Sequence, residues 1–157
     1  IADGGRASPA AVARIDALLR AGHRVVALDP FLIGESKIPQ RDFLYALLIA
    51  AVGDRPLGIQ ASQIAAVARW AKAEYQTKTI ALESLGPRLG VAALIAAALE
   101  TEAIGMVRQT DALISLREVI QQDWTAEQRP ELFCFGLLEH FDLAQLRDLA
   151  GANRFHP

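Results

Sequence analysis

Two apolar runs rich in strand formers dominate this chain: Arg24-Val25-Val26-Ala27-Leu28-Asp29-Pro30 and Thr79-Ile80-Ala81-Leu82-Glu83-Ser84. The segments between them carry helical periodicity. Strands separated by helices join one sheet through right-handed crossovers, which makes the strands parallel and covers both faces. The expected class is therefore α/β: a three-layer α/β/α arrangement around a mostly parallel sheet. Three or four strands and at least four helices are predicted.

The punctuation supports that order. Ile1 to Gly5 reads as the tail of a strand entering a loop. Ser8-Pro9 then provides an N-cap and a proline at the first helical position, and Gly22 is placed to end the helix. Further helices are predicted over Arg41–Val52, Ala61–Tyr75 and Leu89–Leu99, the last opened by Gly86-Pro87. A short strand is predicted at Ala103–Val107. Helical or loop-like stretches follow at Leu116–Ile120 and Phe141–Ala150.

Composition narrows the function. With 52% hydrophobic residues the chain can bury a core, and disorder is excluded. A net charge of −2 lacks the basic footprint of a nucleic-acid binder. Phe43–Val52 and Gly90–Leu99 are apolar but short of the ~20 residues a membrane span needs, so both read as buried helices of a soluble protein. No signal peptide is visible, and export of a parent protein stays open. The lone Cys134 excludes an internal disulfide framework and a multi-cysteine zinc site. No metal and no cofactor are expected.

In an open parallel sheet, ligands sit beyond the carboxyl ends of the strands. Three strand-to-helix turns qualify: Asp3-Gly4-Gly5, Asp29-Pro30 onward, and Glu83 to Gly90. The third lacks the Gly-x-Gly-x-x-Gly of a dinucleotide site and the Gly-Lys-Ser/Thr of a P-loop. It fits the nucleophile elbow better, in which a strand meets Gly-x-Ser-x-Gly and then a helix packed close to the sheet. Gly86 and Gly90 stand at the two glycine positions, and a helix rich in small residues follows. At the centre is Arg88, which stays protonated and has no lone pair for attack.

The order of elements resembles the middle and later part of an α/β-hydrolase domain, of the acetyl xylan esterase-like or dienelactone hydrolase-like kind. Val25 to Ser36 is similar to that family's strand and "D…G.GeS" loop, and Ile80 to Leu99 to its elbow strand and helix. Phe135-Gly136-Leu137-Leu138 with Phe141 to Leu146 resembles its late "GLL..fD…L" segment. A strand beginning Ala-Pro-Arg comes next in the family, where this chain reads Gly151-Ala152-Asn153-Arg154. The resemblance implies a triad in the order Ser, Asp or Glu, His, with the last two after strands that would lie beyond Pro157. It also implies kinship with the second, non-catalytic domain of two-domain esterase-like proteins, which carry a similar "GPR" elbow.

The start at Ile1 and the stop at Pro157 are then expected to bound a single, incomplete domain (1–157), since a whole one runs to about 200–250 residues. Expected partners are the rest of a parent polypeptide or a companion hydrolase domain, with a homo-oligomer also open; no nucleic acid and no membrane are expected.

Ser84 is the alternative nucleophile, in Leu82-Glu83-Ser84-Leu85-Gly86, and would make the chain a carboxylic-ester hydrolase of the acetyl esterase kind. Its other reading is a strand end or helix cap. Gly4 and Gly5 are a candidate oxyanion loop or a plain turn. Asp29, Glu35 and Ser36 sit at the active edge, where Asp29 more simply satisfies the loop backbone. His23, His140 and His156 read as surface or terminal residues, and Cys134 as a small apolar one. A cation opposes the helix dipole at an N-terminus, so Arg88 is expected to pair with a carboxylate, Glu83 or Glu35.

Overall fold

The computed structural model describes residues 1–156; the side chains of Asn153 and His156 lie outside the description, and with the latter the question of a late histidine base. The protein is mixed α/β. In chain order it contains α1 (Pro9–Arg20), α2 (Asp42–Ala51), α3 (Pro56–Glu74), β1 (Ile80–Leu85), α4 (Pro87–Leu99) and β2 (Ile104–Thr110). These are followed by α5 (Arg117–Gln121), α6 (Leu137–His140), α7 (Leu143–Leu149) and β3 (Phe155–His156). β1 and β2 pair in parallel, Leu82 beside Val107 and Glu83 beside Arg108, and the two-residue β3 pairs with β2 on its other edge.

The core lies against one face of this sheet. α4 begins at Gly86-Pro87, and its side chains are small enough to sit between α3 and the strands. Ala92, Ala93, Ala96 and Ala97 are fully buried, in one cluster with Ile64, Ala68, Leu82 and Val107. α7 joins the same cluster through Leu143 and Leu146 and is started by a capping box of Asp142 and Gln145. On the opposite face of β1, Glu83 receives two bonds from Arg14 of α1, both 2.7 Å, and one from Arg108 at 3.0 Å. Helix thus approaches the sheet from both faces, but the sheet is narrow.

Three expectations are corrected. Residues 24–30 form no strand: they lie across a gap from β1 and join no ladder among the described residues. The β-branched residues are there, but a strand exists only with a neighbour to complete its ladder. Secondly, α2 is not a buried helix. Only Ala46 is buried in it, and Leu47 and Leu48, like Val52 just after the helix, are more than half exposed. Finally, α3 starts at Pro56, five residues before the predicted Ala61, because that proline serves as its first residue.

The loop after residue 30 is pinned from two sides. Asp29 accepts the backbone N–H of Arg6 at 2.6 Å and of Glu35 at 3.0 Å, while Ser36 donates to its carbonyl. From α3, Gln60 donates to the Phe31 carbonyl, and Gln63 accepts the Phe31 N–H. Between these clamps Leu32 is held at φ 63° although fully buried, a backbone that costs about 1–2 kcal/mol for an L-residue.

The tight seat of α4 yields a prediction. Ala93→Leu should lower stability by about 1–3 kcal/mol in urea unfolding, because the added carbons have no space to enter. Val12→Ala, at an exposed position of α1, should change it by less than about 0.5 kcal/mol.

Candidate functional site

The turn from β1 into α4 depends on Gly86, whose φ of 105° and ψ of 162° no ordinary side chain adopts. A Cβ there would meet the Asp3 carboxyl carbon at 2.5 Å. Asp3 occupies that space because the chain entering from Ile1 runs alongside the end of β1. The Leu85 N–H donates to the Ile1 carbonyl, and the Asp3 N–H to the Leu85 carbonyl. The Asp3 carboxylate then accepts the first free N–H groups of α4, from Arg88 at 2.9 Å and Leu89 at 2.7 Å. Negative charge is favoured there by both the dipole and the unsatisfied donors. Burial pushes the Asp3 carboxyl above the usual carboxylate range, against the two N–H donors and Arg88, which pull it down.

Arg88 is the second residue of α4 and lies in ordinary helical backbone; the positive φ of this turn belongs to Gly86. Its guanidinium does pair with a carboxylate, but with Glu131 rather than the expected Glu83 or Glu35. Nε and Nη2 reach the two Glu131 oxygens at 2.5 and 2.9 Å. Glu131 is fully buried and the Arg88 side chain only 17% exposed. Glu83 is taken by Arg14 and Arg108, and Glu35 by Arg6. Burial works against the Arg88 charge, but the Glu131 bonds outweigh it and raise its pKa, with help from Asp3 and Asp42. Arg129 stacks on Trp124 beside the same acids, and burial lowers its pKa.

No family model matches this chain, and neither the curated proteins nor the solved structures contain a match.

Ser84 lies inside β1 rather than at the turn. It is 1% exposed, and its hydroxyl has no hydrogen-bond partner among the described residues. His23 and His140 are exposed on other parts of the chain. Gly90 lets α4 approach the loop after β2: a Cβ there would meet Ala112 at 3.2 Å, and Gln109 donates to its carbonyl at 2.7 Å. Gly5, at φ 81°, packs against Gly34 and gives its N–H to the Ala2 carbonyl, while Gly4 is exposed. Asp29 holds the loop backbone as described. Cys134 is half-buried, and burial pushes its thiol up.

The structure thus brings together Asp3, Gly86, Arg88, Glu131 and Arg129. Sequence reasoning missed Asp3 as the cap of α4 and Glu131 as the partner of Arg88. The available signals were an Asp directly before a glycine pair, and a single acid at the head of the apolar stretch Glu131–Leu138.

Removing one member of a buried, hydrogen-bonded ion pair leaves the other charge uncompensated. Glu131→Gln should therefore destabilise by about 3–5 kcal/mol in chemical unfolding, and Arg88→Met with Glu131→Leu should recover most of that loss. Acid should act through a different pair. The Arg14 bonds hold the Glu83 carboxyl below its ordinary value of 4.5, against burial and aided by Arg108. That stabilisation is complete above the unfolded-state value and is lost as the pH falls through the lower folded-state value. Stability measured from pH 6 down to about pH 3 should decline below about 4.5, and less steeply in Glu83→Gln.

Proposed function

We propose that this chain is a non-catalytic α/β-hydrolase-like domain, of the acetyl xylan esterase-like kind, with a structural or assembly role. The observation that carries this reading is the occupation of the elbow by the protein's own groups. An acyl-transfer enzyme needs the helix N–H beyond its nucleophile free to meet a developing oxyanion. Here the Leu89 N–H already holds the Asp3 carboxylate at 2.7 Å. A nucleophile must also reach a base within hydrogen-bond distance. Arg88 takes the central position and is bound to Glu131 instead. Such an elbow serves as a clasp that fixes the start of α4 to the incoming chain and to the segment around Glu131.

On this reading the three-layer arrangement is the family's, with residues 24–30 and β3 standing where further sheet strands belong. The partners are the remainder of a longer polypeptide, a companion hydrolase domain or a second copy. The competing assignment, a carboxylic-ester hydrolase using Ser84, would need that hydroxyl exposed and next to a base.

The test is hydrolysis of p-nitrophenyl acetate by the native chain and by Ser84→Ala. The expected rate is that of buffer, identical for the two proteins. Turnover that Ser84→Ala abolishes would replace the structural assignment with the enzymatic one.

A further inference from the structure

The gap between residues 24–28 and β1 is a cavity of about 710 Å³. The backbone of residues 24–28 and that of β1 line it on two sides; Ile15 and Leu18 of α1 with Ile64 and Ala68 of α3 contribute its apolar lining, and Arg14, Glu83 and Arg108 lie at it as the charged cluster described above. Both flanking edges are open among the described residues, except at the end of β1, where residues 1–3 bond to Glu83 and Leu85. None of the N–H or C=O groups of residues 24–28 has a hydrogen-bond partner among the described residues. In β1, Ile80 donates to Ala103 on the β2 side, while Leu85 donates to Ile1 on the gap side. Successive residues of a strand face opposite edges, so Ala81 and Glu83 direct their N–H and C=O groups into the gap, as Leu85 does.

A parallel ladder along that edge has already begun. The Ile1 amino group donates to the Glu83 carbonyl at 3.0 Å, Leu85 to Ile1 at 3.0 Å, and Asp3 to Leu85 at 2.9 Å. Ala2 forms the parallel bridge to Leu85. Continuing this register into the gap, the residue two before Ile1 would accept the Glu83 N–H and donate to the Ala81 carbonyl. The residue four before would accept the Ala81 N–H. The opposite edge of the same strand would face the unpaired Val25-Val26-Ala27 backbone.

We propose that this cavity is a strand-acceptor slot: it takes one extended, apolar polypeptide strand, parallel to β1 and in line with Ile1, and thereby joins residues 24–28 to the sheet. Main-chain bonds give such strand addition its affinity, and the lining selects apolar side chains. A strand buried on both faces is a near-continuous apolar run, so the occupant is rich in Val and Ile rather than alternating with polar residues. Burial lowers the pKa of the Ile1 amino group, opposed by Glu83 and Asp29, whereas an amide in its place makes the same bond without a charge. This inference stands on the slot alone and does not depend on the hydrolase-like reading.

The experiment compares the full chain with two fusions at Ile1. One adds six residues of Val and Ile; the other adds the same segment with proline two and four positions before Ile1, which removes the N–H donors aimed at β1. Hydrogen exchange of the Ala81, Glu83 and Val26 amides is the readout. The Val/Ile fusion should slow all three by about tenfold or more and raise the melting temperature, and the proline fusion should do neither. The same Val/Ile peptide, added in trans to the unmodified chain, should protect those amides in a concentration-dependent way. Equal protection in both fusions, or none in either fusion or in trans, would overturn the proposal. So would protection in the unmodified chain that scales with its own concentration as it dimerises, which would assign the slot to a second copy.

Discussion

The carboxylate of Asp3 on the first turn of α4 is the interaction on which the arrangement of this protein turns. It joins the two ends of an 85-residue loop in sequence by two charge-assisted bonds to backbone N–H groups. Gly86 follows from it, because only a residue without a Cβ leaves room for that carboxyl. The path of residues 1–3 along β1 follows as well, and with it the parallel register in which the chain meets the sheet. A second acid repeats the device: Asp29 gathers the N–H groups of Arg6 and Glu35 and ties the loop after residue 3 to the loop after residue 30.

The Arg88–Glu131 pair is the natural consequence of placing a cation at that helix end. The helix dipole disfavours the guanidinium, and burial disfavours it further, so a carboxylate in two-bond contact is needed. Such a pair adds little net stability compared with an apolar replacement, because desolvating both charges offsets their attraction. Its main effect is positional. The planar fork of arginine accepts one geometry, which fixes the segment around Glu131 against the start of α4. The site's charges, Asp3 and Glu131 against Arg88 and Arg129, balance within the protein itself.

Local chemistry was legible where the residues that decide a feature are neighbours in the chain. Pro9 behind Ser8, Gly86-Pro87 before the alanine-rich helix, and the apolar runs of β1 and β2 all led to the elements observed. The role of Asp29 in holding its own loop was legible for the same reason. Features decided at a distance were not. Glu131 lies 43 positions from Arg88, and nothing in either neighbourhood marks one as the partner of the other. Glu83 looked eligible because it is close in sequence, yet its side chain faces the other side of β1, where Arg14 and Arg108 take it. The run at 24–30 has strand-forming residues, but pairing depends on what occupies the gap beside it. Ser84 looked like a turn residue only because β1 was read as ending before Leu85.

The central claim is that the N-terminus of α4 is closed by the protein's own carboxylate, and NMR titration of Asp3 tests it directly. The side-chain carboxyl carbon of Asp3 and the amide protons of Arg88 and Leu89 are followed together from neutral pH into acid. The account predicts that all three shift with a single midpoint, above the ordinary range for an aspartate. An Asp3 that titrates at its usual value, with the two amides unmoved, would contradict it.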